Sequence, residues 1–113
     1  MKKVFFLVLI ISCTGETKIV ETLEKGAFQQ LMQNNYTLID VRTPDEFAAG
    51  YIENAVNIDF NAPNFNTQIS TLDKEQPLLI YCAAGGRSAK AAALMESLGF
   101  KKVYELQGGY RNW

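Results

Sequence analysis

Histidine is absent from this chain. No Cys–His pair can therefore form, and any reactive sulfur must be activated by other means. Cysteine is scarce, with only Cys13 and Cys82 present. An excess of either charge is also missing. Eleven Lys and Arg stand against 12 Asp and Glu, a net charge of −1, and the basic residues are scattered. That pattern argues against nucleic-acid binding. No metal-ligand cluster, phosphate-binding Walker loop or dinucleotide fingerprint appears, so neither metal nor cofactor is expected. No apolar run reaches the roughly 20 residues of a bilayer span. Repeats, low-complexity tracts and a second domain are absent too.

What is present is one domain of ordinary globular composition, 113 residues of which 48% are hydrophobic. The first residues are set apart. Met1-Lys2-Lys3 is a short positive stretch, and Val4 to Ile11 is unbroken and apolar. Together they read as a secretory signal peptide over residues 1–12. Ile10-Ile11-Ser12-Cys13 resembles the bacterial lipobox, in which the cysteine is acylated and becomes the new N-terminus. Cys13 is thus the expected lipidation site, residues 13–17 a tether and residues 18–113 the domain. Without Lys2 and Lys3 the balance is 9 cations against 12 anions, which is mildly acidic. A lipid, not charge, would supply membrane attachment. The expected location is the bacterial cell envelope, facing the periplasm. Acylation of Cys13 leaves Cys82 as a lone thiol, a flag for reactivity in an exported protein. A Cys13–Cys82 disulfide is the competing reading.

Within the domain, short apolar runs alternate with helical patterns. Strands are expected at Lys18–Glu21, Thr37–Val41, Ala55–Ile58, Leu78–Tyr81 and Lys102–Leu106. Helical spacing marks Leu23–Gln33 and Arg87–Leu98. Phe65–Leu72 is expected to hold a turn or two of helix. Thr43-Pro44-Asp45-Glu46 carries a hydroxyl cap, a first-turn proline and an acid three residues on, the signs of a helix start. Alternation of this kind implies an α/β fold, a parallel sheet with helices on both faces. Ligands in such folds bind at the carboxyl ends of the strands. Arg42, Cys82 and Gly108-Gly109 all follow strands there.

Cys82 ends the run Leu78-Leu79-Ile80-Tyr81 and opens Ala83-Ala84-Gly85-Gly86-Arg87-Ser88. A tight loop feeding a helix points backbone N–H groups into its cup. The same field stabilises a thiolate, the nucleophilic form of cysteine. A thiol at the mouth of the loop is therefore the expected nucleophile. A small buried hydrophobe is the plainer reading.

Three segments resemble the rhodanese family. They are Leu38-Ile39-Asp40-Val41-Arg42 with Glu46-Phe47 and Gly50-Tyr51-Ile52, then Ile80 to Ser88, then Leu106-Gln107-Gly108-Gly109 with Trp113. The resemblance runs from Lys18 to Trp113. It implies a rhodanese-like fold with a five-stranded parallel sheet and Cys82 at its carboxyl edge. It also implies a persulfide on Cys82, loaded by thiosulfate or a similar donor and discharged to cyanide or a thiol. Two departures stand out: Tyr51 where the family usually has histidine, and Asn54 where it often has glycine.

The binding set expected around Cys82 is Ala83, Ala84, Gly85, Gly86, Arg87 and Ser88. The glycines would let amides approach the sulfur without a Cβ in the way. Arg87 would face the cup and balance an anionic donor. Ser88 reads most plainly as a first-turn hydroxyl. Asp40, Arg42 and Glu46 are expected to be structural, with Arg42 paired to Glu46. Two rivals remain. A Cys-based phosphatase would need five residues between cysteine and arginine, and this chain has only Ala83 to Gly86. A persulfide carrier or docking module would share the same thiol without turnover.

Overall fold

Four apolar side chains in a row, Leu78–Tyr81, alternate between two faces of a strand and leave none of them for water. Such a strand needs cover on both sides. The computed structural model, which describes residues 18–113, provides it. The signal peptide, the tether and Cys13 lie outside the described residues.

Strands form at Val20–Leu23 (β1), Thr37–Asp40 (β2), Val56–Asn57 (β3), Leu78–Tyr81 (β4) and Val103–Leu106 (β5). Helices form at Lys25–Met32 (α1), Pro44–Ala48 (α2), Phe65–Ile69 (α3) and Gly86–Ser97 (α4). The sheet is five-stranded in the order β1-β5-β4-β2-β3, and every pairing is parallel. The expected fold class holds. β4 is the central strand, with all four of its residues buried.

Its faces divide the core in two. Ile80 and Cys82 join Ile39, Val41 and Val103 beneath α3 and α4, through Phe65, Ile69, Ala91, Ala92 and Met95. Leu79 and Tyr81 join Leu38 and Leu106 beneath Phe28 of α1, with Tyr110 and Trp113 at the margin. Each fully buried side chain of this size contributes about 1.5–3 kcal/mol. That covering puts helices on both faces of the sheet.

Several boundaries differ from the sequence pattern by one or two residues. The first strand runs to Leu23 and not Glu21, because Val20 to Leu23 pairs residue for residue with Val103 to Leu106. Leu23 therefore belongs to the sheet and α1 starts at Lys25. The turn or two of helix expected within Phe65–Leu72 forms at Phe65–Ile69, and Thr71 turns its hydroxyl back onto the Gln68 carbonyl. The α2 start is as expected. Thr43 and Glu46 form a reciprocal capping box with Pro44 in the first turn. Asn54 sits at φ +74°, a left-handed position, so a polar residue able to tolerate that region stands where glycine is usual. Tyr51 stacks on Phe47 with ring centroids 4.1 Å apart.

Candidate active site

β4 delivers Cys82 to the carboxyl end of the central strand, and the next residues bend without regular structure until α4 begins at Gly86. Gly85 makes that bend possible. It caps the helix at φ +112°, which an L side chain would resist. In this conformation the Gly85 N–H points at the sulfur, 3.0 Å from Sγ. The thiol lies at the floor of the loop and not at its mouth. Cys82 is only 1% exposed. The correction has a plain cause: Cys82 continues the β4 alternation and falls on the α4 side of the sheet, within the core.

Burial pushes the Cys82 thiol up, and the Ser88 hydroxyl with the amides of Ser88, Gly85 and Ala84 pulls it down; the net effect is a pKa below the ordinary thiol value. A third segment sets the direction of one of these amides. The Cys82 carbonyl accepts from Tyr110 N–H at 2.7 Å, and the Ala83 carbonyl accepts from Arg111 N–H at 2.9 Å. A trans peptide points its N–H away from its C=O. Drawing the Ala83 carbonyl outward toward residue 111 turns the Ala84 amide inward. Gly109 permits the approach: a Cβ there would lie 2.5 Å from the Cys82 oxygen. The closing Gly108-Gly109 turn thus converges with the cysteine loop, as its place after β5 implied.

The arginines exchange their expected partners. Arg42 does not reach Glu46. Its Nε and Nη2 donate to Asp40 at 3.0 and 2.6 Å, and Nη2 also donates to the Gly50 carbonyl at 2.7 Å. The guanidinium lies 4.4 Å from the Tyr110 ring centre. Asp40 and Arg42 are both buried, so the pair braces the loop after β2. Arg87, expected to face an anionic donor, is held by Glu46 instead, through Nη1–Oε1 at 2.7 Å and Nη2–Oε2 at 3.0 Å. The Arg87 hydrogen bonds and the Thr43 amide hold the Glu46 carboxyl down at about 2. Arg42 is turned inward onto Asp40 and the Gly50 carbonyl, which leaves Glu46 to Arg87 in the first turn of α4. The pairing among Asp40, Arg42 and Glu46 thus differs from the expectation: Arg42 pairs with Asp40, and Glu46 with Arg87.

Ser88 is fully buried. Its hydroxyl oxygen lies 3.4 Å from Cys82 Sγ. Sequence reasoning missed the residue behind it, Glu105 of β5, which accepts from Ser88 Oγ at 2.5 Å. Glu105 occupies a buried position in the otherwise apolar run Val103 to Leu106. That interruption was the available signal. Ala83, Ala84 and Gly86 line the loop through their backbone, with Ala84 and Gly86 exposed.

A parallel α/β sheet thus delivers a cysteine to the loop at its carboxyl end, with a backbone amide on the sulfur. The family model for the rhodanese-like domain matches residues 24–113. The chain belongs to the rhodanese-like domain family. Among curated relatives it is 36% identical over 86 residues to thiosulfate sulfurtransferase GlpE of Pseudomonas aeruginosa, covering 75% of this chain and 76% of that one. It is similar to the solved structure of the human single-domain sulfurtransferase TSTD1, with a TM-score of 0.69 and 30% identity, over 81% of this chain and 93% of that one. A rhodanese-related protein from Thermoplasma volcanium gives a TM-score of 0.73 at 27% identity, over 82% and 89% of the two chains.

Proposed function

We propose that the domain is a sulfurtransferase that moves a sulfane sulfur from thiosulfate or a similar donor to a thiophilic acceptor through a persulfide on Cys82. The observation that carries this reading is the Cys82 sulfur facing the Gly85 amide at 3.0 Å, with a depressed pKa in a chain without histidine. The Cys82 thiolate attacks the outer sulfur of the donor. The new S–S bond forms as the donor's S–S bond breaks, and sulfite leaves with the electron pair. The acceptor, cyanide or a thiol, then attacks the outer sulfur and the Cys82 thiolate departs. Loop amides hold the negative charge in both half-reactions. The names of the relatives, thiosulfate sulfurtransferase among them, support the same chemistry.

A phosphatase is disfavoured by the commitment of Arg87 to Glu46, which leaves no free guanidinium fork over the thiol for a phosphate. Lipid anchoring through Cys13 and an envelope location are also proposed, on the Lys2-Lys3 start, the Val4–Ile11 run and the Ile10–Cys13 motif alone. Among the described residues no helix is long and apolar enough to cross a membrane.

The test combines turnover with intact mass. Protein mixed with thiosulfate and cyanide should form thiocyanate over many cycles, and thiosulfate alone should add one sulfur to the wild type and none to Cys82→Ser. One equivalent without recycling would point to a carrier. No added sulfur would overturn the reading. For the anchor, Cys13→Ala should release the protein from membranes, and unchanged retention would overturn it.

A further inference from the structure

A buried acid stands behind the nucleophile. Glu105 is 6% exposed on the same face of the sheet as Cys82. Its Oε2 accepts from the Ser88 hydroxyl at 2.5 Å, and its Oε1 accepts from Thr22 at 3.2 Å, directly across the β1–β5 pairing. The Ser88 oxygen is in turn 3.4 Å from Sγ and 3.3 Å from the Gly85 carbonyl. A hydroxyl owns one proton. With Glu105 ionised, that proton is held by the carboxylate and Ser88 can only accept from the thiol. With Glu105 protonated, the carboxyl donates to Ser88 and Ser88 can donate to a thiolate. A proton can therefore pass between sulfur and carboxylate through the one hydroxyl.

Among the described residues, Ser88 Oγ is the side-chain oxygen within hydrogen-bond distance of the buried thiol, and Glu105 stands directly behind it. We propose that Glu105 takes up the Cys82 proton through the Ser88 hydroxyl when the sulfur attacks a donor, and returns it when the thiolate is released. This deepens the sulfur-transfer reading and rests on it for its role in the cycle. Thiol, carboxylate and thiosulfate become persulfide anion, carboxylic acid and sulfite. The S–H bond breaks, an O–H bond forms on Glu105, and the total charge is unchanged. Glu105 never meets the donor, so it is a positioning residue for the proton. Thr22 of β1 faces Glu105, and Arg87 of α4, which feels the Cys82 charge, is neutralised by Glu46 of α2.

The test uses iodoacetamide, which reads attack by the sulfur without any sulfur donor. At neutral pH Glu105→Gln should alkylate at least about tenfold more slowly than the wild type, because the departing proton has lost its acceptor, and the two rates should converge in alkaline solution, where hydroxide removes that proton. If Glu105→Gln fails to fold by circular dichroism, Ser88→Ala serves; it should show the same slowing, since the hydroxyl that carries the proton is gone. Equal or faster alkylation of the folded variant at neutral pH, or no alkylation of the native protein, would overturn the relay. Slower alkylation of the variant beside a wild type that forms no thiocyanate would keep the relay and sink sulfur transfer.

Discussion

Arg87 clamps Glu46 with two parallel hydrogen bonds, 2.7 and 3.0 Å long, across the gap between the cysteine loop and α2. The same carboxylate accepts from the Thr43 amide at 3.0 Å and the Thr43 hydroxyl at 3.1 Å. One anion therefore closes the helix cap and neutralises the cation nearest the thiol.

Glu46→Gln separates those two duties. Glutamine still serves a capping box, but it no longer cancels the guanidinium. The freed Arg87 should draw an anionic donor, so KM for thiosulfate should fall several-fold with little change in KM for a neutral donor. Because the pair is partly exposed, stability should drop by only about 0–1 kcal/mol. Steady-state kinetics with both donors checks this, and an unchanged thiosulfate KM would refute it.

The same pair sets an acid limit. The Glu46 carboxyl is held at about 2 in the folded chain against 4.5 for the free group. The unfolded chain therefore takes up the proton first. The pair's contribution is complete above pH 4.5 and is lost as pH falls toward about 2. Urea midpoints of wild type and Glu46→Gln should converge through that window and stay apart above it.

Gly109→Ala should cripple the site without touching the sulfur. Its φ of +66° with ψ of −164° lies in a region that essentially only glycine enters, and would cost a side chain about 1–3 kcal/mol. The Cβ would also press on the Cys82 carbonyl and push residues 110 and 111 off their acceptors. Thiocyanate formation should fall at least tenfold while the fold, followed by circular dichroism, persists.

Arg42→Ala should act on stability. It strands the buried Asp40 carboxylate, a loss of about 3–5 kcal/mol. Asp40→Asn with Arg42→Met should recover much of the loss, because no buried charge is then left unpaired. Thermal melting of the two variants decides it.

Much of this domain was legible in the chain. Continuous apolar runs such as Leu78–Tyr81 announced buried parallel strands, and the Thr43–Glu46 pattern announced a cap that forms as read. The Cys82 loop stood out through its glycines. What stayed hidden was tertiary. Arg42 and Arg87 each had an acid within reach in principle, and only the packing of α2 against the loop decides which pair forms. Glu105 gave a faint sign as a charge in an apolar strand, but nothing local says that Ser88 lies over it. The depth of Cys82 follows from strand alternation and was obscured by its place beside flexible glycines.

The Ala83 carbonyl that Arg111 draws outward ties one of the hydrogens around the sulfur, that of Ala84, to a segment made well after it. Until residue 111 docks, that peptide plane is free to turn. The electrostatic surroundings of the thiol are therefore finished by tertiary closure and not by the loop alone.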